Sequence, residues 1–237
     1  MARLTRQELR RDELSAQLGT GLDYLMQHRR PMLKWIGYGA AAVVVALGVA
    51  LFLRSRNEDA AAAFGAALET YHAPVDAAPP PDSKIKSYKN ATEKYEAALK
   101  EFSEVAAAHG GTSAGRWAKY YAALSQEGLA KYGEAEKQLQ EISGEGNADF
   151  RAVCKMALAG ALLKQDKTAE AEKILKELEQ NPTDSVPKIT AQLALADLYR
   201  ISNPSQARTL YQEISKEFPE TSLAEMAGQR LNDLPTQ

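Results

Sequence analysis

Residues 168–182 read TAEAEKILKELEQNP, and the apolar residues of this stretch follow a helical spacing. Ala171 is followed by Leu175 at the fourth position and by Leu178 at the seventh. These three positions lie on one face of an α-helix. A small residue allows two helices to approach closely, and the larger side chains fill the groove beside it. The stretch therefore predicts a helix that packs against a neighbouring helix through this face.

The same arrangement occurs four times along the chain. An alanine, a large apolar residue at +4 and an aliphatic residue at +7 recur, with the alanines 37, 36 and 36 residues apart. A period of this length indicates stacked two-helix units, and the sequence thus predicts an all-α solenoid. The four sets are Ala98, Phe102 and Val105; Ala135, Leu139 and Ile142; Ala171, Leu175 and Leu178; and Ala207, Tyr211 and Ile214.

Other residues of each period complete a two-helix unit. In the second full unit, Leu158, Ala159 and Leu162 lie on a first helix, and Pro182 closes the second helix. On these residues the units resemble tetratricopeptide repeats, although their period exceeds the family's length of about 34 residues, which implies longer loops. The matching residues are Trp117, Tyr121, Ala123 and Tyr132 in the first full unit, and Leu195, Ala196, Tyr199 and Pro219 in the third.

The unit built on Ala98 resembles a divergent opening repeat. Its first helix is predicted at Glu58–Tyr71, separated from the second by the insert HAPVDAAPPPD at 72–82. The four prolines of this insert fix φ and remove backbone N–H donors, so that no helix continues through it.

An uncharged run, IGYGAAAVVVALGVALFL, occupies residues 36–53. As a helix with a rise of about 1.5 Å per residue it is roughly 27 Å long, close to the hydrocarbon core of a bilayer. Trp35 and Tyr38 lie where an interfacial aromatic belt is expected. The run therefore predicts one transmembrane helix. A buried core helix is the alternative, but it would also bury the charged residues at both ends.

The charges around the run predict its orientation. Seven Lys and Arg residues precede it, whereas only Arg54 and Arg56 occur in the twenty residues after it. The positive-inside rule then places the N-terminus in the cytoplasm and the C-terminal domain in the periplasm of a bacterium. A cleaved signal peptide is the alternative, although the leader and the run are both long for one. The predicted segments are a basic cytoplasmic leader (1–34), a transmembrane helix (35–54), a divergent first repeat (55–112), three tetratricopeptide-like repeats (113–220) and a capping helix with a tail (221–237).

Composition separates the two sides of the chain. Nine basic and four acidic residues occur up to Arg56, against 20 basic and 27 acidic residues after it. An acidic domain argues against nucleic-acid binding, which needs a basic patch. The single cysteine, Cys154, excludes an internal disulfide.

Residue sets typical of enzymes are missing from the sequence. His28, His72 and His109 are scattered and do not have the spacing of metal ligands. There is no Gly-rich phosphate loop and no Gly-x-Ser-x-Gly motif. Cys154 lies between apolar residues and is interpreted as a packed thiol. We therefore expect no catalysis, no cofactor and no metal site.

The order of the segments is similar to that of one membrane-protein family. Residues 216–227, KEFPETSLAEMA, resemble the FPxSxxAxxA turn of tetratricopeptide proteins in the bacterial envelope. A leader, one span, an interrupted first repeat, further repeats and a helical tail resemble the ancillary subunits of the SecYEG translocon, the YfgM-like family. The likeness begins at about residue 30, and the basic leader departs from it.

The likeness to tetratricopeptide repeats implies a concave groove lined by the first helices. Aromatic and Met side chains there would suit apolar or extended peptide segments, and packing between repeats is their alternative role. The Lys/Asn pattern that clamps a C-terminal carboxylate is not matched. The predicted groove positions are Trp117, Tyr120, Leu124, Met156, Gly160, Leu163, Leu193, Asp197 and Arg200.

These features predict a single-pass inner-membrane protein whose periplasmic domain mediates protein–protein interactions. The YfgM-like resemblance implies an ancillary translocon or chaperone-associated subunit, with secretion-channel subunits or unfolded polypeptide segments as partners. The alternative is an envelope scaffold for cell-division or outer-membrane assembly machinery.

Overall fold

The computed structural model describes residues 29–75 and 86–234, which belong to two compact units, one ending at Ser55 and the other beginning at Arg56. The leader up to residue 28, most of the Pro-rich insert and the last three residues lie outside the described part. Within that part, the secondary structure is helical. The helices are α1 (Arg29–Tyr71), α2 (Ala91–His109), α3 (Ser113–Gly128), α4 (Tyr132–Ile142), α5 (Ala148–Leu163), α6 (Thr168–Gln180), α7 (Lys188–Ser202), α8 (Pro204–Glu217) and α9 (Ser222–Asn232).

Helix α1 differs from the sequence expectation because it is continuous. A separate helix was expected to begin at Glu58, but α1 extends without a break through this position to Tyr71. Residues 54–71 contain no proline and include four consecutive alanines, which are the strongest helix formers, so nothing there ends the helix.

The apolar part of α1 has the properties of a candidate membrane span. By length and composition, α1 is the one helix of the described residues that is suited to cross a bilayer, and its most apolar window has no buried residue. Side chains such as Val44 and Phe52 are exposed. The alternative to a membrane span, a buried core helix, does not fit the described residues, because this part of α1 is not buried.

The unit from Arg56 onward is built from consecutive helix pairs, and each helix from α2 to α9 packs against the next. The pairs α3/α4, α5/α6 and α7/α8 match the three predicted full repeats. The pattern that defines the opening repeat and these three repeats is buried as predicted, because Ala98, Ala135, Ala171 and Ala207 are each 0% exposed. The residues at +4 and +7 are buried as well, namely Phe102, Val105, Leu139, Ile142, Leu175, Leu178, Tyr211 and Ile214.

The turn between the two helices of a pair has a recurring geometry. Ala130 and Asp166, which are 36 residues apart, have φ values of 57° and 60°. The next residue in each case donates its backbone N–H five residues back, from Lys131 to Gln126 and from Lys167 to Leu162. This left-handed residue followed by a six-to-one hydrogen bond is the Schellman arrangement that ends a helix sharply. The backbone conformation of the turns therefore recurs with the same 36-residue period as the buried alanines of the core.

Side-chain bonds join successive pairs. The amide of Gln165, in the α5–α6 turn, donates to the Tyr132 carbonyl and to the Glu136 carboxylate of α4. Lys167 lies 2.6 Å from the same carboxylate. These contacts hold the pKa of Glu136 below its ordinary value, with the Lys167 hydrogen bond as the largest cause.

The apolar core consists of two clusters that meet at α3. One contains Ala67 of α1, Phe102 of α2 and Ala122 of α3. The other begins with Ala123 of α3 and extends through all later helices to Leu234. Helix α3 therefore faces the opening repeat on one side and the regular repeats on the other.

We expect Ala171→Leu to destabilise the repeat domain. Ala171 has no exposed surface and belongs to the larger core cluster, so three additional heavy atoms must displace buried neighbours. Overpacking of this kind costs roughly 1–3 kcal/mol in the free energy of unfolding. For a domain of this size each kcal/mol lowers the melting temperature by about 2–4 °C. Thermal unfolding of the detergent-solubilised chain measures the change.

The matched control is Ala169→Leu, because Ala169 lies on the same helix and is exposed. Its melting temperature should stay within a degree or two of the parent's, since exposed substitutions change stability by about 0.5 kcal/mol at most. Equal melting temperatures for the two variants would contradict the placement of Ala171 at a close helix contact.

Candidate peptide-binding groove

Helix α3 presents a stripe of partly buried apolar side chains. Trp117, Tyr120 and Leu124 are spaced by three and four residues, so they share one face of the helix. The Trp117 ring lies edge to face against Tyr120, 5.5 Å between centroids, and against Phe150 of α5, 5.0 Å between centroids. Trp117 thus joins the stripe of α3 to the next first helix along the chain.

Helix α5 continues this surface. Met156 and Leu163 are partly buried and pack against the core, whereas Gly160 between them is exposed. A Cβ atom added to Gly160 would meet no other atom within 4 Å. We call the surface formed by Trp117, Tyr120, Leu124, Met156, Gly160 and Leu163 the groove face. Its side chains are apolar and partly buried, and its glycine borders open space.

The predicted positions on α7 have mixed roles. Leu193 is 7% exposed and belongs to the core, while Arg200 is exposed. Asp197 accepts a hydrogen bond of 2.6 Å from the Tyr211 hydroxyl and forms an ion pair with Arg230 of α9. Asp197 therefore ties α7 to the two helices that follow it, so Leu193 and Asp197 both contribute to the fold.

Glu127 extends the stripe of α3 and was not among the predicted groove positions. It lies three residues after Leu124 and seven after Tyr120, which is the spacing of one helix face. Its Oε1 atom is buried and has no hydrogen-bond partner among the described residues. The helical spacing was the available signal, but a glutamate near a helix end was easily interpreted as solvated.

Burial controls the electrostatics of Glu127. Removal of the carboxylate from water raises its pKa from 4.5 to about 7, and the opposing attraction of Lys164 is smaller. Burial is also the main reason that the pKa values of Tyr71 and Tyr120 lie above their usual range, and the Glu127 charge adds to both shifts.

The remaining candidates for reactive or metal-binding groups are Cys154 and clusters of His, Cys, Asp and Glu residues. Cys154 of α5 is buried, as expected for a packed thiol, and burial raises its pKa to about 12. A thiol of this kind is a poor nucleophile. The described part of the chain also contains no group of three or more His, Cys, Asp or Glu residues placed to hold a metal ion.

Comparison with known proteins identifies the fold. Two crystal structures of nearly identical TPR-like repeats, described as from a kinesin light chain of Podosopora anserina, align with a TM-score of 0.51 and 14% identity. The alignments cover 77% of this chain and 84% of those chains. The fold is tetratricopeptide-like. No family model and no curated protein matches the sequence. At 14% identity, the likeness to these crystal structures supports the assignment of the fold and nothing beyond it.

The raised pKa of Glu127 gives a pH-dependent stability. An unfolded glutamate releases its proton near pH 4.5, whereas the folded chain retains it up to about pH 7. Between these values the folded state binds more protons, so the free energy of unfolding falls as the pH rises. We expect Glu127→Gln to remove this loss and to be more stable than the parent at pH 8 by about 1–2 kcal/mol, after allowance for solvent screening.

Thermal unfolding of parent and variant at pH 4.5 and pH 8 measures this difference. The two proteins should melt at similar temperatures at the lower pH, and the variant should melt higher at pH 8. Glu141→Gln, at an exposed position of α4, is the control and should follow the parent at both pH values. If Glu127→Gln loses as much stability between pH 4.5 and pH 8 as the parent does, this carboxylate does not titrate as described.

Proposed function

We propose that this chain is a single-pass membrane protein whose tetratricopeptide-like domain binds segments of other proteins in the groove face. The observation that carries the proposal is the open position at Gly160 between the partly buried Met156 and Leu163. Apolar walls with an unfilled position can accept an apolar side chain of an extended peptide. The tetratricopeptide-like fold, generally a protein-interaction module, supports this assignment.

The proposed location is the inner membrane of a bacterium, with the N-terminus in the cytoplasm and the repeat domain in the periplasm. The excess of Lys and Arg before residue 36 supports this orientation, as does the apolar, unburied window of α1. In this location the domain would hold emerging polypeptides or secretion-channel subunits. That role is proposed from the likeness in segment order to the YfgM-like family.

An envelope scaffold is the second candidate, with cell-division or outer-membrane assembly proteins as partners. Purification of the chain with its partners from solubilised membranes separates the two candidates. Channel subunits and folding factors support the first, and assembly proteins support the second. We also propose that the chain is not an enzyme, since the groove face consists mainly of apolar residues and its neighbouring thiol is buried.

We expect Gly160→Leu to block the groove face without unfolding the domain. A Cβ atom at this position meets no other atom within 4 Å, and replacing glycine inside a helix favours folding by about 0.5–1 kcal/mol. Partner recovery from solubilised membranes should therefore fall while the melting temperature stays the same or rises.

Gly160→Ala serves as the control for Gly160→Leu. It gains the same helical preference but occupies little of the groove, so its partners should be retained. Full recovery of partners with Gly160→Leu, at an unchanged melting temperature, would remove the groove face as the binding site.

The orientation is tested by a reporter joined after Gln237. An enzyme that is active only in the periplasm should be active in this fusion, because positive charges before the span favour a cytoplasmic N-terminus. The same reporter placed before the span is the control and should be inactive. Activity of a cytoplasm-only reporter after Gln237 would instead reverse the proposed topology.

A further inference from the structure

We propose that a cavity at the N-terminal ends of α3 and α5 binds a small zwitterion, an α-amino acid with an apolar side chain. The cavity has a volume of about 400 Å³ and shares Trp117 with the groove face. The proposal goes beyond the proposed function, since the ligand is a small molecule and not a polypeptide segment. We call this site the charged cavity, and the residues of its lining that matter here are Arg116, Trp117, Asp149, Phe150, Asp184 and Ser185.

Charges of opposite sign line the cavity and come from different parts of the fold. Arg116 lies near the start of α3, and Asp184 lies in the connection between α6 and α7. Arg116 is partly exposed and Asp184 is exposed, so a ligand can reach both from solvent. Among the described residues, the two side chains form no ion pair with each other or with a third residue. The cavity therefore has room between them for a ligand that carries both charges.

Asp149 holds the acidic side of the cavity in place. It lies in the first turn of α5 and accepts a hydrogen bond of 3.0 Å from the backbone N–H of Ser185. This bond is the largest reason that the pKa of Asp149 lies below its usual range, so the carboxyl group stays ionised at neutral pH. The bond fastens the segment that carries Asp184 to α5, and the Asp184 carboxylate remains available to a ligand.

Two aromatic residues supply the apolar part of the lining. The rings of Trp117 and Phe150 meet edge to face, with 5.0 Å between centroids. Trp117 is partly exposed, whereas Phe150 is 4% exposed. Trp117 thus provides most of the apolar surface that a ligand can contact, and an aromatic ring of this kind suits an apolar side chain.

The combination of charges selects the class of ligand. A simple cation would be attracted by the two carboxylates but repelled by Arg116, and a simple anion would meet the reverse. A zwitterionic amino acid avoids this conflict, because its carboxylate can pair with the guanidinium and its ammonium with Asp184 in charge-assisted hydrogen bonds. The volume also suits a small ligand, since small-molecule sites begin at about 300 Å³.

The test is a calorimetric titration of the full chain in an uncharged detergent. The probes are L-leucine, L-phenylalanine and two analogues of the latter, each of which lacks one charge. L-phenylalanine amide lacks the carboxylate, and N-acetyl-L-phenylalanine lacks the ammonium. The proteins are the parent, Arg116→Gln, Asp184→Asn and the control Asp233→Asn, which changes an exposed carboxylate after α9.

We expect the parent to bind both amino acids and to bind each analogue about tenfold more weakly than L-phenylalanine. Arg116→Gln should lose the preference over the amide and keep the preference over the acetylated analogue, and Asp184→Asn should show the reverse. Asp233→Asn should behave as the parent does. Failure of both amino acids to bind, equal binding of the analogues, or preferences that survive both substitutions would overturn the site.

The fluorescence of Trp117 gives a second readout that locates the ligand. The chain has two tryptophans, so Trp35→Phe leaves Trp117 as the one that emits. L-leucine, which does not fluoresce, should change this emission with the Kd that calorimetry gives. Heat of binding without any change in Trp117 emission would mean that the ligand binds elsewhere, and the proposal would be wrong.

Gly160→Leu separates the charged cavity from the groove face. This variant changes the groove on α5 and should bind L-leucine with the Kd of the parent. Loss of L-leucine binding in Gly160→Leu would place the amino acid in the groove face and would overturn the charged cavity. Unchanged L-leucine binding, whatever the recovery of protein partners, supports the charged cavity independently of the proposed function.

Discussion

The close approach of helices at four buried alanines is the constraint on which the repeat domain depends. Ala98, Ala135, Ala171 and Ala207 have no exposed surface, and each is followed by two buried apolar residues on the same face. Only a small side chain permits this approach, and the larger neighbours then fill the grooves beside it. Because each pair packs on the next, the constraint recurs at every repeat and sets the spacing of the first helices. The groove face exists because those helices are held side by side.

The sequence was sufficient to predict this core, because an alanine with apolar residues at +4 and +7 reports a local helix face directly. It was not sufficient for α1, where a change in hydropathy was interpreted as a boundary although the alanines around residue 60 favour a continuous helix. It also missed the bonds of Asp197, whose partners Tyr211 and Arg230 are distant in sequence. Long-range pairing of this kind depends on how the repeats stack, which no local pattern encodes.

Glu127 shows the same limit within the candidate site. Its helical register was visible, but its burial, which raises its pKa, depends on how the helices pack and is not encoded in the local sequence. A carboxylate with a buried oxygen that lacks a hydrogen-bond partner is expected to reduce the stability of the fold above its pKa.

Site-specific photo-crosslinking tests the central claim that the groove face is the binding surface. A benzophenone amino acid is introduced at Gly160, and at Lys137 of α4, which is also exposed, as the control. In intact membranes, irradiation should give adducts with other polypeptides at position 160 and not at position 137, and an excess of an apolar groove-binding peptide should suppress them. Adducts at position 137 alone, or adducts at both positions that the peptide leaves unchanged, would contradict the account.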